Sequence, residues 1–164
     1  MSIDAMEQLY QQVILDHARS PHGRGLRQLG PLSGESHQVN PTCGDEVTMR
    51  VELDPEGRRQ IRAVSWEGQG CSISQASISV LHDLVSGADL AEVEQLAATF
   101  RTLMNARGAA LDEDAEELLG DATAFTGVGK YPARIKCALL GWAALQDALI
   151  KTGATAPAKP QEDA

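Results

Sequence analysis

The sequence predicts an α+β fold in which a small antiparallel three-stranded sheet packs against about five helices. Apolar and polar residues alternate at strand period between residues 35 and 67, and apolar residues recur at helical spacing before residue 21 and after residue 71. Because strands come early and most helices come late, helices packed on an antiparallel sheet are favoured. The 164 residues fit one domain of ordinary size, which we place at residues 1–152.

The first half of the chain predicts one helix followed by three strands. Apolar residues at helical spacing over residues 6–17 indicate a helix that ends near residue 20. Residues 21–35 are rich in Gly, Pro and Ser, which is typical of a loop, and a short strand is expected over 35–39. Alternation then resumes on both sides of an Asp-Pro-Glu-Gly turn, so residues 46–67 predict a hairpin.

The second half of the chain predicts four helices. Their expected bounds are 72 to Gly87, 90 to Gly108, 111–119 for a short acidic helix, and 135–150 for the last one. A loop is expected around Gly127 and Gly129. Residues 153–164 lack apolar periodicity and predict a disordered tail.

Charge and apolar content exclude some classes of function. The formal net charge is -9 and the pI about 4.8, which disfavours binding to nucleic acid or to an anionic membrane. No stretch approaches the roughly 20 apolar residues of a membrane span, and the N-terminal residues carry acids where a signal peptide needs bases. We therefore expect a cytoplasmic protein, in which three cysteines favour metal or thiol chemistry over disulfides.

Each of the three cysteines lies in a setting that suits a thiolate. Cys43 precedes Gly44 and Asp45, and the glycine permits a tight bend that lets thiol and carboxylate converge. Cys71 is expected at a helix N-terminus, where free N–H groups lower a thiol's pKa. Cys137 follows basic residues on the last predicted helix. Together, three thiolates and a carboxylate suit a four-coordinate thiophilic metal site.

Each cysteine also has a plainer interpretation. Cys43 fits an ordinary turn, Cys71 fits a strand-to-helix junction, and Cys137 fits the core. The chain has no C-x-x-C pair, so spacing alone does not establish a metal site. Arg134 and Lys136 are the candidate supporting cations, because a zinc site of three thiolates and one carboxylate carries a net charge near -2 (from -4 and +2).

At these residues the chain resembles the U-type iron–sulfur cluster assembly proteins, and among them the SufU-like branch. The similar segments are Asn-Pro-Thr-Cys-Gly-Asp at 40–45, Gly-Gln-Gly-Cys-Ser-Ile-Ser at 68–74, Ile-Lys-Cys at 135–137, and the N-terminal helix at 9–17. Scaffold proteins of the IscU-like branch usually have His before the third cysteine and a Leu-Pro-Pro-Val-Lys segment upstream. This chain has Lys136 there, Lys-Tyr-Pro-Ala-Arg at 130–134, and an extra segment over about 103–126.

The resemblance implies a Zn²⁺ site formed by Cys43, Asp45, Cys71 and Cys137. It also implies that the protein takes sulfur from a pyridoxal-phosphate cysteine desulfurase of the SufS type, with downstream SUF assembly proteins as further partners. The chain would then act at most as a sulfurtransferase. We favour Cys43 as the catalytic sulfur acceptor, because the acceptor must leave the metal before it attacks, and a loop cysteine moves more easily than a helical one.

Three other functions stay open at this point. The same ligands would hold a transient iron–sulfur cluster in a scaffold, or zinc in a purely structural interaction domain. A cysteine hydrolase needs a base, and none of the four histidines lies in a convincing motif. These histidines are His17, His22, His37 and His82, and each is interpreted as a surface or packing residue.

Overall fold

The computed structural model describes residues 3–56 and 59–154, with side chains from residue 5 onward. Helix α1 spans Ile3–Arg19, and three strands follow: β1 at Ser33–Asn40, β2 at Asp45–Leu53 and β3 at Ile61–Gln69. The later elements are α2 at Ser72–Val85, α3 at Leu90–Asn105, α4 at Glu113–Leu119, a 3-10 helix at Gly120–Lys130, and α5 at Pro132–Lys151.

The predicted fold class is confirmed, and several of the predicted elements differ in extent or type. The first strand begins at Ser33 rather than residue 35. The expected loop around Gly127 and Gly129 is instead part of the 3-10 helix, which buries Phe125 and Val128. The prediction of a loop was wrong there because these short-range turns bring apolar side chains into the core without a 3.6-residue period.

Residues 155–164 hold most of the predicted tail and lie outside the described residues. Gly153 and Ala154 follow α5 in a turn, in which the backbone N–H of Ala154 donates to Thr152 Oγ1 at 3.2 Å. The disordered tail therefore stays a prediction.

The sheet is antiparallel with the strand order β1-β2-β3. Along β2 every second residue is buried, from Asp45 through Val47 to Leu53. This period of two places the Asp45 side chain on the same inward face as the apolar residues of β2. A carboxylate therefore lies at the edge of the core, where β2 begins.

Helix α5 packs across β1 and β2, and α2 packs against both α1 and α5. Gly141 permits the close approach of α5 to α2, because a Cβ there would lie 2.6 Å from Ile78 Cγ1. Ser77 of α2 donates to the carbonyl oxygen of Ala138 on α5 at 2.6 Å. These contacts hold the start of α5 beside the start of α2 and the turn before β2.

Candidate metal centre

The first cysteine lies on the turn that joins β1 to β2. Asn40 and Asp45 are directly paired across the two strands, so residues 41–44 form a four-residue hairpin loop. The backbone N–H of Cys43 donates to the Asn40 carbonyl oxygen at 3.3 Å, and Gly44 has a φ of 71°. Glycine suits this left-handed position, since a Cβ would strain it. The turn leaves Cys43 exposed while Asp45 is fully buried.

Asp45 ties the hairpin to the beginning of α2. Its Oδ1 accepts from the Cys71 backbone N–H at 2.9 Å and from the Ser74 hydroxyl at 3.3 Å. Its Oδ2 accepts from Asn40 Nδ2 at 3.4 Å. Gly70 is required beside it, because a Cβ at this position would collide with Asp45 Oδ1. A buried carboxylate needs such donors, and this one has three.

Cys71 is the N-cap residue of α2, as predicted, with an extended backbone at φ -73° and ψ 170°. Its side chain makes no capping hydrogen bond and is exposed. The thiol is therefore not committed to stabilising the helix end. It lies close enough to Cys137 to contribute to the raised pKa of that thiol.

Cys137 is buried in the second turn of α5, at 1 % exposure. Its Sγ lies 3.2 Å from Cys43 Sγ, and Asn40 Nδ2 donates to it at 3.7 Å. Burial raises the pKa of this thiol strongly, and contacts with Asp45 and Cys43 raise it further. A thiol held neutral by burial becomes a thiolate when a divalent cation supplies the missing positive charge.

The structure brings three of the four predicted ligands into one cluster. The ligand atoms of Cys43, Asp45 and Cys137 all lie within 4.8 Å of one another. Ligand atoms around tetrahedral zinc stand about 3.8 Å apart at ordinary Zn–S lengths, so this cluster is close to the spacing that the ion needs. Cys71 is not part of this mutually close set, but its thiol lies near enough to Cys137 to raise the pKa of that thiol, and its backbone N–H donates to Asp45.

Arg134 and Lys136 are both exposed, and neither forms an ion pair within the part of the chain that the structure describes. The guanidinium of Arg134 lies 5.2 Å from the centre of the Tyr131 ring. The role of Arg134 and Lys136 in offsetting thiolate charge stays a prediction.

A cavity of about 320 Å³ is lined in part by Arg134 and Ile73. These two residues are within three sequence positions of Cys137 and Cys71, respectively.

Asn40 and Ser74 are site residues to which sequence reasoning assigned no role. Both belong to the quoted motif segments, but residue type alone did not show that they donate to Asp45. The useful signal for Asn40 is its place immediately before a four-residue turn, since an antiparallel hairpin pairs it with the residue after that turn.

A hairpin turn and two helix starts thus present three thiols around one buried carboxylate, which is the arrangement expected of a protein that handles thiophilic metal or sulfur. The family model of the NifU-like N-terminal domain matches residues 9–151, and the chain belongs to this family. The resemblance to the U-type iron–sulfur cluster assembly proteins is thereby confirmed.

Two curated relatives carry different functional names. The chain is 36% identical over 152 residues to the "Zinc-dependent sulfurtransferase SufU" of Bacillus subtilis, covering 92% of this chain and 97% of that protein. It is 37% identical over 150 residues to the "Iron-sulfur cluster assembly scaffold protein IscU" of Streptococcus pyogenes, covering 91% and 87%.

A solved structure agrees with the fold. A putative iron–sulfur cluster assembly scaffold protein for the SUF system from Fervidobacterium islandicum matches with a TM-score of 0.71 and 32% identity. The match covers 87% of this chain and 98% of that one. Among the described residues, no helix has the length and apolar character needed to cross a membrane.

Proposed function

We propose that this protein is a zinc-dependent sulfur acceptor that takes persulfide sulfur from a cysteine desulfurase and carries it toward iron–sulfur cluster assembly. The observation that supports this most is the contrast between two touching cysteines. Cys43 is exposed on a turn, and its Sγ lies 3.2 Å from that of the buried Cys137. One sulfur is therefore open to a partner while the other is held in the core.

The donor set suits Zn²⁺, since three thiols and a carboxylate are ligands that this ion accepts. We propose Cys43, Asp45, Cys71 and Cys137 as the residues that hold it. When bound, the ion would keep the thiols deprotonated at neutral pH. Asn40 and Ser74 would orient the Asp45 carboxylate through the hydrogen bonds already present, as outer partners do in metal sites.

The proposed transfer is a thiol–persulfide exchange with no net oxidation. The Cys43 thiolate attacks the outer sulfur of the persulfide on the desulfurase cysteine. A new S–S bond forms at Cys43 Sγ while the old S–S bond breaks, and its electron pair leaves on the desulfurase thiolate. The Cys43 turn suits this role, because its side chain is reached without displacing helix or sheet.

The proposed partner is a desulfurase of the pyridoxal-phosphate type that presents its persulfide on a mobile segment. The net charge of -9 favours a docking surface with basic residues around that segment. The Arg134 guanidinium beside the cavity is available to contact acidic or carbonyl groups of the partner. Downstream proteins of the same assembly system would receive the sulfur.

Peptide mapping of the protein after one turnover tests the proposal. The zinc-loaded chain is mixed with a cysteine desulfurase and L-cysteine, then alkylated and digested. The mass of each cysteine-containing peptide is measured by mass spectrometry. The expected result is one added sulfur on the peptide with Cys43, with the Cys71 and Cys137 peptides unchanged. A persulfide found only on Cys71 or Cys137 would contradict the acceptor assignment.

A scaffold is the second candidate, favoured by the 37% identity to the relative named as a scaffold. The same four residues would then hold a transient cluster. Anaerobic incubation with iron, sulfide and reductant, followed by visible absorption and transfer to an apo-ferredoxin, separates the two functions. A stable, transferable cluster together with no persulfide on any cysteine would favour the scaffold.

A further inference from the structure

A second group of side chains that can bind a metal lies away from the cysteines, between the end of α1 and the C-terminal half of α2. His17 in the last turn of α1 is buried at 7 % exposure. His22 lies in the loop that follows α1, and Asp83 lies on α2. One ligand atom from each of these three residues lies within 4.8 Å of the others. The imidazole rings of His17 and His22 have centroids 4.9 Å apart.

One hydroxyl contacts both the His17 ring and the backbone of His22. Ser79 Oγ lies 2.7 Å from His17 Nδ1 and accepts a hydrogen bond from the backbone N–H of His22 at 2.8 Å. The His22 carbonyl oxygen in turn accepts from Trp66 Nε1 at 2.8 Å. The loop is therefore fixed from both α2 and β3, which is the support that keeps metal ligands in one geometry.

Carboxylates complete the cluster. Asp83 Oδ2 lies 2.7 Å from His22 Nδ1, and Asp83 Oδ1 lies 3.3 Å from His82 Nδ1. Asp121, at the start of the 3-10 helix, lies 3.4 Å from His17 Nε2. An ion pair between His22 and Asp83 accounts for the placement of those two side chains. It does not explain why the buried His17 ring is placed beside the same carboxylate.

We propose that His17, His22 and Asp83 form a second site, for a divalent transition metal of the Zn²⁺ or Co²⁺ type. Two imidazoles and one carboxylate suit such borderline ions better than Mg²⁺ or Ca²⁺, which prefer oxygen ligands alone. The ion fastens the end of α1 to α2. Cys71 and Asp83 are 12 positions apart in sequence, so the two sites are roughly 18 Å apart along α2.

Cobalt distinguishes the two sites, because thiolate ligands give Co²⁺ intense charge-transfer absorption and imidazole and carboxylate ligands do not. Metal-free, reduced protein is titrated with Co²⁺ without oxygen, and equilibrium dialysis counts the ions bound. The variants are His22→Gln and Asp83→Asn, both at half-exposed side chains. The control is His37→Gln, since His37 also pairs with a carboxylate, Glu46 at 3.0 Å, but lacks a second imidazole.

We expect the wild-type chain and His37→Gln to bind one Co²⁺ that adds no charge-transfer absorption. In His22→Gln and Asp83→Asn, the affinity of the protein for that ion falls at least about tenfold. The charge-transfer absorption of the Co²⁺ bound at the cysteines is unchanged. The proposal is overturned by any of three results: an equal loss of affinity for that ion in His37→Gln, no loss of affinity in His22→Gln and Asp83→Asn, or no such ion bound by the wild-type chain. Because absorption reports the cysteines separately, the outcome does not depend on the function proposed for them.

Discussion

The two ends of α2 carry clusters of similar size and different chemistry. At its N-terminus, Cys71 joins a group of thiols around a carboxylate that accepts three hydrogen bonds. Towards its C-terminus, Asp83 lies beside the imidazoles of His17 and His22, and Ser79 contacts the His17 ring and the His22 backbone. Both clusters draw side chains from elements distant in sequence, and one helix contributes to both.

The difference lies in which groups of each cluster are exposed and which are fixed by hydrogen bonds. At the cysteine end the carboxylate is fully buried, and the exposed thiol of Cys43 lies on a four-residue turn. At the histidine end the loop around His22 is bonded from both sides. Under the proposed functions, the cysteine site needs one ligand that can leave the metal to accept sulfur, whereas the histidine site needs ligands that stay in place. The variants below test whether the clusters act independently.

The largest effect is expected for Asp45→Ala. Removing the carboxylate leaves the Cys71 N–H without its acceptor and takes one hydrogen-bond partner from Asn40 and from Ser74, whose hydroxyl keeps the Cys71 carbonyl oxygen. The free energy of unfolding of the metal-free chain should therefore fall by about 2 kcal/mol. Charge-transfer binding of Co²⁺ should weaken at least about 100-fold. Urea denaturation and cobalt titration measure the two quantities.

Glu46→Ala is the matched control for this variant, since Glu46 is the next residue and makes only surface bonds to His37 and Gln69. It should change neither quantity appreciably. If Asp45→Ala also weakened the ion that shows no charge transfer, the two ends of α2 would be coupled, and the comparison would fail.

Gly70→Ala should have the next largest effect. The added Cβ would collide with Asp45 Oδ1 and lie 2.6 Å from Ser74 Oγ, so the carboxylate must move. We expect cobalt affinity at the cysteines to fall about tenfold, as for other disturbed outer contacts. Gly44→Ala is the control: apart from its chain neighbours, no atom of the residues that the structure describes lies within 4 Å of the added Cβ, and only the φ of 71° costs about 1 kcal/mol of stability. A larger loss of affinity in Gly44→Ala would contradict the steric account.

The cluster at the cysteine end could be predicted because short sequence patterns mark the positions of its cysteines and of Asp45. A strand, a Gly-Asp turn and a Gly before a helix can each be recognised from a few neighbouring residues, as with Cys43 and Cys71. The burial of Asp45 followed from the period of β2, once its register was known. The distance of the Cys71 thiol from the set formed by Cys43, Asp45 and Cys137 had no such signal, because it depends on where a helix end lies relative to a turn.

The histidine end was missed because nothing local marks it. His17 fits the apolar periodicity of α1, and His22 sits in a loop of Gly, Pro and Arg, so both were interpreted as packing or surface residues. Their proximity depends on how α1 crosses α2, and a single sequence does not show which face of each helix makes that contact. Contacts of this kind become visible only in the folded chain.

Ser79→Ala should have a moderate effect confined to the histidine end. It removes the acceptor of the His22 N–H and the partner of His17 Nδ1, which should cost about 1–2 kcal/mol in urea denaturation. The affinity of the Co²⁺ without charge transfer should fall about tenfold. Ser77→Ala is the control, since this buried hydroxyl on the same helix bonds the Ala138 carbonyl instead. Equal loss of that ion in both variants would mean that the hydroxyl only stabilises α2.

The smallest effects are expected from two surface carboxylates that belong to neither cluster, Asp147 and Glu67. The Ser36 hydroxyl, followed by Lys151, holds the pKa of Asp147 below its usual range, which links β1 to α5. Arg24 holds the pKa of Glu67 low in the same way, beside the loop that carries His22. A folded-state pKa below the unfolded one stabilises the protein above the unfolded value, near pH 4, and that stability is lost as the pH falls through the folded value.

Asp147→Asn and Glu67→Gln should therefore each lower the free energy of unfolding at pH 7 by only a few tenths of a kcal/mol, because both carboxylates are well exposed and screened by solvent. Below pH 4 each variant should converge on wild type, which urea denaturation between pH 3 and 7 measures. Since Asp147 bonds Ser36 and Lys151, and Glu67 bonds Arg24, neither substitution should change the affinity for either Co²⁺ ion by more than about twofold. A larger change in either affinity would show that the surface ion pairs of this protein act on the clusters at a distance.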